Sequence, residues 1–268
     1  REERQGMAHR GGGSRRRRSG AVTAMAVLAV VAIAFVLGGL WWIRDAGVPP
    51  LSTPWGPDCA VSTDEGEIRL DRDQARRATT AAAVAVQGTE APIGAPDTED
   101  IPDTVMARLV EGPEDDAGPS LTCRSTKDPG LAVEEELEPS GLTPRAERLR
   151  NGLEEHFSDL SLGGYRPGGY DTGHGEDSAH YDGRAIDIFY RPVGEENRRE
   201  GWVMAHWLIA HAPDYGIDVI IFDDRIWSTV HPSLGWRHYE ADPDNEILRH
   251  LDHVHVDVQR GRDPSDVG

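Results

Sequence analysis

Two short stretches alternate apolar and polar residues at period two, and they constrain the fold more than anything else in the chain. One is "HVHVDV", residues 253–258. Successive side chains of a strand point to opposite faces. Val254, Val256 and Val258 therefore predict one apolar face, while His253, His255 and Asp257 share the other. The second stretch is "RAIDIFY", residues 184–190. Here Ile186 and Ile188 turn toward a core, and Asp187 turns the other way with Ala185 and Phe189. A carboxylate in a buried strand is costly unless it is paired or bound to a metal. If the two strands are neighbours, Asp187 and the histidine pair face one cleft. His180 lies just ahead, in the glycine-containing turn "HYDGR", which can fold it back over the same spot. Two imidazoles, one carboxylate and an open fourth position are what a catalytic zinc site requires.

Around these strands the patterns alternate in type. "TPRAERLRNGLEEHF" predicts a helix capped by Thr143, with Pro144 at its first position and Leu149, Leu153 and Phe157 recurring every four residues. "LSLGGYR" (160–166) reads as a strand. "ENRREGWVMAHWLIAHA" (196–212) reads as a helix burying Trp202, Ala205 and Ile209, with His206 and His211 structural. "IDVIIFD" and "RIWS" predict a hairpin around Asp223–Asp224, followed by a polar loop and a short helix at 243–250. The expected fold is α+β: a small antiparallel sheet with flanking helices, carrying the cleft, over residues 142–260.

The rest of the chain frames that domain. Residues 21–43 carry no charge over 23 positions, which at 1.5 Å per residue is roughly 35 Å, enough to cross a bilayer. "RRRR" at 15–18 precedes the run and Trp41–Trp42 close it, which predicts a basic cytoplasmic tail at 1–20, a single-pass transmembrane helix, and everything after it outside. Cleavage as a signal peptide is the competing reading. Residues 44–58 read as a linker, 59–127 as a small accessory region, 128–141 as an acidic linker, and 261–268 as a tail. Cys59 and Cys123, an even pair on the oxidising side, predict one disulfide worth about 4 kcal/mol by loop closure. The formal net charge is −19. The first 20 residues carry seven Arg against two Glu, so the remaining body is more acidic still, and nucleic acid is excluded as a partner.

The pattern "S-x-H-x-x-G-x-A-x-D" with a late "H-x-H" resembles the zinc peptidases that include the D-Ala-D-Ala carboxypeptidases and dipeptidases of peptidoglycan. Lysostaphin-type and murein endopeptidases and the hedgehog signalling domain share that fold. Residues 160–258 also resemble the C-terminal domain of membrane-anchored actinobacterial proteins, many of them labelled heavy-metal transporters. The run from Leu70 to Ala78 resembles the start of a lysozyme-like segment, whose activity does not carry over. The resemblance implies His180, Asp187 and His255 as ligands of a Zn2+ cofactor. It implies Arg166, in "GYR", as the oxyanion partner and Ser178 as a substrate contact. For the general base it leaves two residues open, Asp252 by one branch and His253 by the other. Trp236 and Tyr239, in the loop before the last strand, either pack against substrate or staple their own loop down, and His174 could line the site.

The function this implies is a membrane-anchored, extracytoplasmic peptidase acting on peptidoglycan peptides, as carboxypeptidase or endopeptidase. The alternative is a catalytically inactive, zinc-containing module that binds cell-wall peptides.

Overall fold

The α-helix over Arg72–Gln87 (α1) starts where the sequence says it must. Asp71 accepts from Gln74 N, and the Gln74 side chain answers the Asp71 N–H, so two orphan donors are satisfied at once. The helix over Pro144–His156 (α3) is capped by Thr143 through Ala146 N, with Leu149 and Leu153 fully buried. Between them lies a helix at Asp103–Glu111 (α2), and beyond them one at Glu195–Ala210 (α4) and a single turn at Ala212–Tyr215 (α5). These elements belong to a computed structural model of the chain, which describes residues 58–112, 119–173, 175 and 177–262. The expected transmembrane helix at 21–43 and His174 lie outside the described residues. Among the described residues no helix is long and apolar enough to cross a membrane.

Among the described residues nine strands form two sheets, and every pairing of named strands is antiparallel. The smaller sheet joins β1 (Cys59–Thr63), β2 (Gly66–Leu70) and β3 (Leu121–Cys123) in the order β2-β1-β3. The larger comprises β4 (Leu162–Gly163), β5 (Ala185–Phe189), β6 (Ile217–Phe222), β7 (Arg225–Ser228), β8 (Arg237–His238) and β9 (His253–Val258), in the order β4-β5-β9-β6-β7-β8. The α+β expectation holds, and both alternating stretches are strands at the centre of the larger sheet. Ile186, Val254, Val256 and Val258 have no exposed surface and join one core with Trp202, Trp207 and Trp227. Each buried indole removes on the order of 200 Å² from water, roughly 5 kcal/mol gross at 25 cal/mol/Å².

The stretch 59–127 is more than a separate accessory piece. The described residues from 58 onward fall in one compact unit. The Trp227 indole donates to Cys123 O, Trp236 to Leu121 O, and Leu121 N donates to His206 Nε2. Arg72 donates to the Ile209 and Ala210 carbonyls at the end of α4, where a cation meets the negative helix end. The predicted disulfide is present: Cys59 and Cys123 face each other in register on β1 and β3. The acidic segment 128–141 is pinned as well, because buried Arg145 donates to the Ala132 and Gln259 carbonyls. The expected helix at 243–250 is instead a series of turns. Asn245 Oδ1 takes the Leu248 N–H and His250 adopts φ 56°, so no helical ladder continues.

Candidate metal centre

The register of β5 against β9 sets Asp187 directly opposite His255 and Phe189 opposite His253. Adjacent side chains on one face of such a pair are about 5 Å apart, close enough to share a ligand. Asp187 Oδ1 lies 3.1 Å from His255 Nδ1 and 3.4 Å from His180 Nε2. One ligand atom from each of the three residues falls within 4.8 Å of the other two. Donors held at about 2.0–2.1 Å from a tetrahedral zinc ion stand roughly 3.3 Å apart, so the two measured separations fit that ion. The donor set fits it too: two imidazoles and one carboxylate, each less than a tenth exposed.

The supporting contacts fix which nitrogen each imidazole offers. His180 Nδ1 donates to Gly164 O at 2.6 Å, so Nε2 faces Asp187. His255 presents Nδ1 to Asp187, and its Nε2 faces Asp257 Oδ2 at 3.8 Å. Gly164 is required here twice. Its φ is 77°, and a Cβ at that position would lie 2.7 Å from His180 Nδ1 and 2.8 Å from Asp187 Oδ2. Electrostatics follow the geometry. Burial raises Asp187, but hydrogen bonds from His180 and His255 overcome it and hold the carboxyl well below the usual range. Burial lowers His255, yet Asp187 and Asp257 outweigh it and raise the imidazole to about 9.

These residues floor a cleft of about 820 Å³ whose walls include Ser178, Phe189, Arg191, Tyr239, Leu248 and His250. Ser178 and Tyr239 thus lie where the sequence suggests. His253 does as well: its Nε2 is 3.8 Å from Asp187 Oδ1, and its Nδ1 donates to Asp252 Oδ1 at 2.7 Å. Asp252 does not line the cleft. It is buried behind His253, with Oδ2 held by Arg191, and the two partners keep its carboxyl lowered against the burial that would raise it. Its two oxygens accept from His253 and from Arg191.

Two expected site residues lie elsewhere. Arg166 is exposed: its loop curls back through a Gly169 N to Arg166 O bond, and its guanidinium donates to Gly169 O and covers the Tyr170 ring at 4.6 Å. Trp236 turns away from the cleft, edge-on to Trp202 at 5.2 Å. Two cleft residues were not foreseen. Arg191 is the only Lys or Arg among the described lining residues, and nothing in "FYRP" marks it out. His250 packs 4.7 Å from the His253 ring, with Nδ1 donating to Leu248 O. Burial, with His255 and His253 beside it, lowers it to about 3.

The fold and site thus define an α+β domain in which Asp187 and His255, on the adjacent strands β5 and β9, meet His180 from the turn before β5. Residues 138–248, under half of the chain, match the family described as VldE, C-terminal domain. The matched segment contains His180 and Asp187 and ends before His253 and His255. No curated protein and no solved structure matches this chain.

Proposed function

We propose that this chain is an extracytoplasmic zinc-dependent peptidase, anchored in the cell membrane by one N-terminal helix and hydrolysing peptide bonds of peptidoglycan. The observation that carries the reading is the convergence of His180 Nε2, Asp187 Oδ1 and His255 Nδ1, with His253 beside them. When bound, zinc supplies Lewis acidity and brings the pKa of a water to roughly 7. His180, Asp187 and His255 would hold the ion. His253 acts as the general base. Its Nδ1–H is committed to Asp252, so Nε2 is the atom that takes the proton from the attacking water. The water oxygen bonds to the carbonyl carbon, the C–N bond breaks, and the same Nε2 returns the proton to the departing amine. Such a base typically contributes about 10²–10⁴ in rate. Ser178 and Tyr239 line the walls where the peptide backbone would lie. Peptidoglycan as substrate draws its support from the motif resemblance, the basic-then-apolar N-terminus and the disulfide.

A second reading has one specific observation in its favour. Arg166, the residue expected at the oxyanion, stays outside the cleft. A zinc-containing module that binds cell-wall peptides without cutting them fits that. Incubating the zinc-loaded chain with cross-linked muropeptides, followed by mass spectrometry, separates the two. The peptidase reading expects new termini that vanish with a chelator and in His253→Ala. Peptide binding with zinc retained and no new termini would sink it in favour of the module.

A further inference from the structure

Arg191 closes a ring of contacts that joins the cleft mouth to His253. Its Nε and Nη2 both lie 2.6 Å from Asp252 Oδ2. The other oxygen of Asp252 accepts from His253 Nδ1 at 2.7 Å. Arg191 is itself held flat, with Cζ 4.0 Å above the centroid of Phe189. Phe189 is the cross-strand partner of His253, and their rings are 5.7 Å apart. A backbone bond from Tyr190 N to Asp252 O, 2.9 Å, ties the two strand ends beneath these side chains.

We infer that Arg191 is a positioning residue: by holding Asp252 it fixes the tautomer and direction of His253. The inference rests on the peptidase reading for its kinetic consequence, though not for its structural one. The direction of every link is set by donor chemistry. A guanidinium only donates and an ionised carboxylate only accepts, so His253 Nδ1 must carry the hydrogen and Nε2 must offer the lone pair. Two donors on one oxygen also stop the carboxylate from rotating about its own axis. The sequence-adjacent Asp252 could not achieve this alone. Its carboxylate is buried, and without a cation it would turn toward whatever donor is nearest. The side chain of Arg191 is half exposed, so its loss need not disrupt the core.

The test uses the full chain, zinc-loaded and labelled with 15N-histidine, as wild type, Arg191→Lys and Arg191→Met. His253→Gln assigns the Nδ1–H resonance. Arg191→Met should speed solvent exchange of that proton by ~10-fold or more, leave zinc content unchanged, and lower kcat by ~10–100-fold. KM should stay within about twofold, since only a group that binds substrate in its ground state raises KM alone. Arg191→Lys, which keeps the charge and loses the fork, should fall between. An unaltered Nδ1–H resonance in both variants would overturn the inference. So would a rise in KM at constant kcat, which would mean that Arg191 docks substrate directly. If wild type cleaves nothing, the peptidase reading falls, while the His253 resonance still decides the Arg191 link.

Discussion

Histidines cluster on both faces of the larger sheet, and the two clusters behave in opposite ways. On the helical side, His206 packs beside Trp202, and His211 stacks on Trp207 at 4.2 Å with His156 nearby. His206 faces no carboxylate, and burial alone lowers it to about 3. His211 is lowered too, because burial outweighs the pull of Asp214. On the cleft side, His255 is buried too, yet it is raised to about 9 by Asp187 and Asp257. Burial makes an imidazole a neutral packing unit; carboxylates on the same face make it part of a charged site. On that face His180, Asp187 and His255 form a group that can hold a metal ion.

Removing a donor is the strongest way to break this contrast. His255→Ala or Asp187→Ala should abolish stoichiometric zinc, measured by atomic emission after gel filtration. The loss should exceed the roughly 10–100-fold that outer-shell changes cost. His206→Gln should retain full zinc. Zinc kept in His255→Ala would show that the ligand set is wrong.

The disulfide lies on the other side of the contrast, in the small sheet. The double change Cys59→Ser, Cys123→Ser opens a loop of 64 residues and should cost about 4 kcal/mol in urea unfolding. Zinc affinity should not follow it. A matching loss of zinc would mean that the small sheet also holds the site in shape. Gly164→Ala should lower both. A Cβ there meets His180 and Asp187, so a competitive chelator titration should find affinity lower by about 10–100-fold, and the urea midpoint should fall as well, because Ala is strained at φ 77°.

How much of this was legible in the sequence follows from the range of each signal. Period-two alternation is local, so the faces of β5 and β9 and the orientation of Asp187, His253 and His255 could be read directly. The Asp223–Asp224 turn was equally local, and both residues have positive φ. The β1–β2 hairpin and α2 escaped notice because their polar positions blur the pattern. Pairing of β1 with β3 is long-range, and only the two cysteines pointed to it. Long side chains were least legible. Arg166 and Arg191 each sit a few residues past a strand end, and backbone turns that leave no periodic trace decide which of them reaches the cleft. His250 enters the site through a single left-handed residue in a polar loop. Asp252 was recognisable as a neighbour of the ligands, but its role depended on Arg191, which was not.

The smallest predicted effect tests the helical histidines by pH. His206 is neutral in the fold with a value of about 3, and an unfolded histidine titrates near 6.5. Between those values the unfolded chain binds the extra proton, so this residue's contribution is fully present above about pH 6.5 and is lost as pH falls. By pH 5 the loss should reach about 2 kcal/mol, from 1.36 kcal/mol per unit. Other groups titrate over the same range, so the quantity to measure is the difference between wild type and His206→Gln. Gln retains an acceptor for the Leu121 N–H and does not titrate. Chelated samples unfolded in urea at pH 8 and pH 5 should show the variant less stable at pH 8 and the gap narrowing by about 2 kcal/mol at pH 5. A gap that stays constant would mean that His206 gains no stabilisation from being neutral, and burial alone would no longer separate the two faces of the sheet.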